Sequence, residues 1–411
     1  MAHSKISLSV LLLSAFIDYA GIAIVFTIFA FLLFDPALHF LPVDTSETVR
    51  GLWLGFLIAL HPLMQFFSAP VCGALSDRRG RKTLMQGTIL LAVVGYFLAV
   101  LGVHMQSLLL LALYRILTGI GAGNSSVIAA MVADLSLPSE KARNFGLLSM
   151  SMGGGFIVAP LLSSFLTNHF GYIVPFYFPF VLVLLNYWLV VSQLKETVIE
   201  KRAAKWSLFQ SFTMIRSAFF MKSLRFLFLT HLLFSIGWSF FVEFSAVFLR
   251  KQFDFDAGDT GIFYGYGALF YALSAGLLTF PMVKRFGARR ILFFGLLMSG
   301  LSVLSMLTIH SRLLLWFFVP VAQLFFSFVY PATSTVISDT VSDQMQGEAM
   351  GIYHAVNALA LGISPFFVGS FVGPHPRSAV FIGGVMMLLA SLVFGLFHES
   401  QPQEETPLVE G

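Results

Sequence analysis

Along this chain, apolar runs of roughly 18 to 28 residues alternate with short polar intervals, at a spacing that suits helices rather than strands. The runs fall at about 7–34, 51–75, 83–103, 107–133, 145–166, 171–194, 226–249, 261–283, 291–309, 312–338, 349–372 and 379–397. Each is long enough to cross a hydrocarbon core of about 30 Å as a helix. Short segments of alternating polarity, the mark of a membrane barrel, are not the pattern. The expected fold is therefore all-α, with twelve transmembrane helices. The first run is too long for a signal core and no small-residue cleavage pattern follows it, so it is expected to remain as helix one.

Composition strengthens this picture. The 411 residues are 57% hydrophobic and only 11% charged, against about 25% charged in soluble domains. Placement of the cations gives an orientation. Eighteen of the 24 Lys and Arg residues fall in intervals on the side of the N-terminus, including Arg78, Arg79, Arg81, Lys82, Lys284 and Arg285. Arg50, Arg250, Lys251, Arg312 and Arg377 fall on the other side, and Arg115 falls within a span. This asymmetry puts both termini in the cytoplasm. It also accounts for the pI of about 9.1, so no nucleic-acid partner is called for. Cys72 is the single cysteine: no intrachain disulfide can form, and it reads as a small packed residue of helix two. The sequon Asn124-Ser125-Ser126 lies inside helix four, out of reach of a transferase. His61, His231 and His354 are scattered among helices without metal-ligand spacing, and no cofactor motif is present.

The longest polar interval divides the chain. Residues 1–194 and 226–398 are each expected to form a six-helix bundle, joined by a cytoplasmic linker at 195–225 with an interfacial amphipathic segment. A short polar tail, 399–411, should be disordered. The halves echo each other: Asp134, Gly146 and Pro160 recur as Asp339, Gly351 and Pro365, and RRGRK around Gly80 recurs as KRFGARR around Gly287. A near-constant offset over several markers is the trace of an internal repeat, and two repeated bundles are a transporter architecture.

The segment from Gly73 to Lys82, GALSDRRGRK, matches the G-x-L-x-D-R-x-G-R-[KR] signature of the major facilitator superfamily, in what reads as the loop between helices two and three. Arg115 with Gly119, Gly121 and Gly123 resembles that family's helix-four element. Gly153-Gly154-Gly155 through Pro160 to Ser163-Ser164 resembles its antiporter motif, with Ala159 and two serines where glycines are usual. Taken together, the chain resembles the drug:proton antiporter branch that includes tetracycline-efflux-type proteins. The resemblance implies that Gly73, Asp77, Arg78, Gly80, Arg81 and Asp134 form a conformational latch on the cytoplasmic side. Gly153, Gly155 and Pro160 read as a helix-packing hinge.

Three charges in apolar surroundings are the candidate proton-coupling and substrate residues. Asp18, in SAFIDYAGIAIVF, lies near the middle of helix one. A charge there costs about 2.5–3.5 kcal/mol on insertion scales, so it reads as a group kept to take up and release a proton. Ser7, Ser14, Gly21 and Val25 share its face, which is expected to turn toward a cavity. Arg115 lies about 10 Å into helix four; the resemblance implies that it tunes proton exchange, the alternative being that backbone carbonyls satisfy it. Glu243, near the outer end of helix seven, either takes part or faces water. Gln323, Tyr330, His354, Asn357, Tyr264 and Trp238 are cavity candidates, the alternative being interhelical hydrogen-bond glue. Most of the 47 phenylalanines are expected to face lipid. The reading is a non-enzymatic, monomeric secondary transporter of a bacterial plasma membrane. It exports a small amphipathic compound in exchange for protons, without cofactor or metal. A proton-coupled importer of a nutrient or metallophore is the alternative, and a non-transporting receptor or scaffold is the remote one.

Overall fold

A computed structural model describes residues 2–137, 140–197, 207, 210–221, 224–341 and 343–398. Most of the linker's middle and the whole tail lie outside these residues, so the expected disorder of 399–411 is not addressed. Twelve described helices are long and apolar enough to span a bilayer: α1 (Ser7–Phe34), α2 (Glu47–Arg79), α3 (Arg81–His104), α4 (Leu108–Leu135), α5 (Arg143–Phe170), α6 (Val174–Gln193), α7 (Arg225–Phe253), α8 (Ala257–Phe286), α9 (Ala288–Thr308), α10 (Arg312–Thr340), α11 (Ala349–Val372) and α12 (Pro376–Leu396). Backbone groups in hydrocarbon must be satisfied within the segment, which is why runs of this composition become helices. The protein is an integral, multi-pass, all-α membrane protein. Its twelve helices form two pseudo-symmetric bundles of six, each with its own apolar core.

Local chemistry sets the ends. Ser46 and Ser107 accept backbone hydrogen bonds at the starts of α2 and α4, and Asp256 forms a reciprocal cap with Asp259 at the start of α8. Single glycines turn the chain between α2 and α3 and between α8 and α9. Gly80 has φ +108° and Gly287 φ +85°, conformations that a Cβ disfavours. Their matched geometry is the internal repeat made visible. One consequence is a correction: Asp77, Arg78 and Arg79 belong to the last turns of α2, and the expected loop is reduced to Gly80.

Two departures from regular helix were not foreseen. The α4 helix tightens to a 3₁₀ turn at Ala122–Asn124, and α8 widens to a π turn at Ala275–Thr279. The amphipathic segment expected in the linker forms a helix, Gln210–Phe220, docked on the protein. Its Ser211 is buried and donates to Phe66 O at 2.5 Å. Many phenylalanines do not face outward: α7 alone buries Phe228, Phe234, Phe241, Phe244 and Phe248. Hydrophobicity marks the absence of water and does not distinguish lipid from a protein neighbour.

Two pairs of helices join the bundles, α2 with α11 and α5 with α8. At the end opposite Gly80 both pairs meet backbone to backbone. A Cβ on Gly55 would lie 2.1 Å from Pro365 O, and one on Gly51 2.3 Å from Gly369 O. In the other pair, a Cβ on Gly261 would lie 2.6 Å from Pro160 O, and Ser164 Oγ donates to Gly258 O at 2.7 Å. Pro160 and Pro365, markers of the repeat, thus occupy equivalent places in the two crossings. Toward the Gly80 end, Met150 of α5 and Leu277 and Phe280 of α8 are exposed, and open space surrounds Gly146, Gly153 and Gly276.

Candidate functional site

Pro62 has no N–H to give, so the Ile58 carbonyl one turn earlier in α2 lacks its helical donor. Arg115 fills the gap. Its guanidinium donates to Ile58 O (3.2 Å) and Leu57 O (3.0 Å), and the side chain is 2% exposed. Gly119, one turn further along α4, lets the two helices approach closely: a Cβ there would lie 2.5 Å from His61 O. Thr118, on the same face, places its hydroxyl 3.2 Å from His61 Nδ1. Arg115 therefore stitches α4 to α2, the backbone-satisfied alternative left open by its sequence context.

Across the boundary between the bundles, Glu243 of α7 lies within electrostatic reach of Arg115. It does not face water: Glu243 is 5% exposed and accepts a 2.5 Å hydrogen bond from Ser239 Oγ. Tyr264 braces this turn of α7, donating to Val242 O (2.7 Å) with its hydroxyl 2.8 Å from Ser245 Oγ. It is glue between α7 and α8, beside the acid.

Asp18 is half-buried, with the side chain of Asn124, the last residue of the 3₁₀ turn in α4, as its polar neighbour. Tyr19 and Tyr96 lie within its electrostatic reach. The face carrying Asp18 is not the cavity wall that its small residues implied. Ser14 Oγ lies 2.8 Å from Asn186 Oδ1 of α6, and the Tyr96 hydroxyl of α3 fills the space where a Cβ on Gly21 would sit. Asn124 and Tyr96 were missed. The sequon drew attention away from Asn124, although an amide following Gly121-Ala122-Gly123 inside a span is itself a signal of a polar contact at a weakened helix.

The second bundle contributes an aromatic and amide cluster. Asn357 Oδ1 accepts from Ser235 Oγ (3.0 Å) and the Tyr330 hydroxyl (3.2 Å), tying α11 to α7 and α10. Trp238 packs edge-on to Phe326 (4.9 Å between centroids) and beside Tyr271. The His231 ring lies 4.2 Å from that of Tyr353, while His354, its neighbour, is exposed. Gln323, half-buried on α10, points its amide at Gly267 of α8. The polar stripe of α10 is largely turned on itself, since Ser327 and Ser334 donate to carbonyls of their own helix.

At the Gly80 end, Arg81 pairs with Asp77 (3.4 Å) and with Asp134, joining α2, α3 and α4. Arg78 is exposed and Gly73 lies in ordinary contact with Ser126. Glu196, a residue not singled out beforehand, accepts from the Arg81 and Lys82 N–H groups (2.9 and 3.1 Å) at the start of α3. Of the two hinge glycines only Gly155 is packed tightly, 2.6 Å from Phe16 O for an added Cβ. Gly153 meets nothing, so its assignment to close packing is not upheld.

Two pseudo-symmetric bundles with buried charges at their boundary define a secondary transporter, not an enzyme. The sequence profile of the Major Facilitator Superfamily matches residues 11–280 and 273–410, and the chain belongs to that family. It is 28% identical over 370 residues to the class C tetracycline resistance protein of Escherichia coli, covering 89% of each chain. It is 25% identical over 376 residues to multidrug resistance protein 1 of Bacillus subtilis (strain 168), covering 91% of this chain and 90% of the relative. Among solved structures it resembles the human organic anion transporter MFSD10 (TETRAN), with TM-score 0.70 and 20% identity, over 95% of this chain and 99% of that one. A D-xylose-proton symporter matches with TM-score 0.73 and 18% identity, over 95% and 97%.

Proposed function

We propose that this transporter exports a small amphipathic compound in exchange for protons, by alternating access. The observation that carries the reading is that two opposite charges are buried on facing sides of the bundle boundary, Glu243 in the second bundle and Arg115 in the first, within electrostatic reach of each other. A proton or a cationic substrate that discharges Glu243 weakens that attraction and so biases the arrangement of the two bundles. Asp18, half-buried beside Asn124 in the first bundle, is the second protonatable group. The Gly80 end is read as cytoplasmic because it carries most of the cations, and the parted ends of α5 and α8 then make this conformation inward-facing. The resistance-protein names of the relatives favour export, and their bacterial source supports placing the protein in a bacterial inner membrane. The protein is taken to act as a monomer.

The test uses everted vesicles carrying the purified protein. Substrate that collapses an imposed pH gradient while accumulating inside supports exchange; accumulation in right-side-out vesicles driven by inward protons overturns it. Asp18→Asn and Glu243→Gln are each expected to leave the protein folded while lowering gradient-driven transport at least tenfold. Unchanged proton-driven transport in both variants would remove these residues from the mechanism.

A further inference from the structure

The end of the molecule opposite Gly80 carries charge that the transport reading leaves unused. Four ionisable side chains meet there, two from each bundle. Arg250 and Lys251 form the last turn of α7. Asp35 directly follows α1, and Glu47 opens α2. Lys251 Nζ pairs with Glu47 and also donates to Gly373 O at 2.7 Å, just past α11. Arg250 Nη2 stands 4.0 Å from Asp35 Oδ2. The cations lie over rings of α1 as well: Arg250 is 5.5 Å from the Phe31 centroid and Lys251 5.7 Å from that of Phe34. Apart from the Lys251–Gly373 hydrogen bond, which ties α7 to the end of α11, these contacts join the second bundle to the first.

Position makes the cluster more than surface decoration. It sits at the glycine crossing of α2 and α11, where a Cβ on Gly373 would lie 2.1 Å from Glu47 O. Lys251 therefore reaches both members of that crossing from a third helix. Arg50, the other cation nearby, is engaged within its own bundle, donating to Leu33 O (2.6 Å) and Pro42 O (2.8 Å), so it holds the α1–α2 loop that presents the two acids.

We infer that Arg250 and Lys251, with Asp35 and Glu47, form an electrostatic clasp that holds the bundles together at the end opposite Gly80 and sets how often that end opens. The inference rests on the alternating-access reading but not on substrate, direction or proton coupling. Any opening of this end separates α7 from α1 and α2 and breaks both ion pairs together. Partly exposed pairs contribute little singly, so each is expected to shift the closed-to-open ratio about threefold to fivefold. Salt, which screens exposed charges over a Debye length of about 8 Å at physiological strength, should act in the same direction.

The experiment measures the clasp without transport. In a Cys72→Ala background, spin labels at Met105 and Leu313, both exposed and on different bundles, report the separation of this end in lipid nanodiscs by pulsed electron resonance. Glu47→Lys and Lys251→Glu alone should each raise the long-distance population about threefold or more, and the exchanged pair Glu47→Lys/Lys251→Glu should return it toward the starting value. Arg250→Gln should act like the single changes, and 0.5 M salt should shrink the difference between starting protein and variants. Single variants that leave the distance distribution unchanged, or an exchanged pair as open as either single change, overturn the clasp. Loss of transport with an intact distance response would fault the functional reading instead.

Discussion

The partner of Arg115 was written in the sequence, though not as a charge. A proline inside a helix leaves the carbonyl four residues earlier without a donor, and three such carbonyls in this protein are met by side chains from elsewhere. Ile58 O, freed by Pro62, takes Arg115; Phe66 O, freed by Pro70, takes Ser211; Ser327 O, freed by Pro331, lies 3.4 Å from the Thr279 hydroxyl in the π turn of α8. This gives a test of Arg115 as a stitch. Arg115→Leu strands the Ile58 carbonyl and should cost about 1–3 kcal/mol. Adding Pro62→Ala restores a backbone donor, so the double variant should melt at a higher temperature than Arg115→Leu alone. A second pair of substitutions separates strain from crowding. Gly287→Ala carries only the penalty of a positive φ, about 1 kcal/mol. Gly80→Ala should lose more, because its Cβ would also lie 2.5 Å from the Glu196 carboxylate. Thermal unfolding in detergent ranks the two, and an equal loss would show that Glu196 yields freely.

For whole helices, the hydrophobic pattern located all twelve spans to within a few residues of where they lie. A segment of about 20 apolar residues in lipid has no competing structure, so its existence as a helix is legible from composition. What each face touches is not. The triple glycine of α5 reads as one close-packing feature, yet Gly155 lies against α1 and Gly153 faces open space. The difference has a measurable sign. Gly153→Ala should be neutral or stabilise by up to about 1 kcal/mol through helix propensity, whereas Gly155→Ala should destabilise, since its Cβ would press on Phe16 O and Ala20 N. Equal effects in a melting experiment would contradict that placement. Asp18 shows the same limit: periodicity marked its face as small and polar, but only the neighbours Asn186, Tyr96 and Asn124 reveal that this face looks into its own bundle. The 3₁₀ turn that delivers Asn124 was illegible because glycine and alanine permit such a turn without demanding it.

At the scale of the molecule, the repeat found in the sequence becomes two equivalent crossings, Gly55 on Pro365 and Gly261 on Pro160. If the bundles alternate about their boundary, both crossings must part together. A short, reductant-cleavable bis-thiol reagent linking Glu47→Cys to Lys251→Cys, whose native side chains pair across the bundles at this same end, in a Cys72→Ala background, should therefore arrest turnover, with reductant restoring it. Sustained transport by the cross-linked protein would show that this end does not open during the cycle.

The freed carbonyls of α2 also bear on how the chain is made. When α2 leaves the ribosome, the groups that complete it at Ile58 and Phe66 do not yet exist. The first arrives with α4 and the second only with the linker helix, after the whole first bundle has been synthesised. The helix thus enters the bilayer with two bare acceptors, and it becomes a finished element only as later segments are delivered to it. Assembly order is written into α2 by its two prolines, and a chain truncated before Ser211 would carry a first bundle whose second helix still has an open hydrogen-bonding site at Phe66.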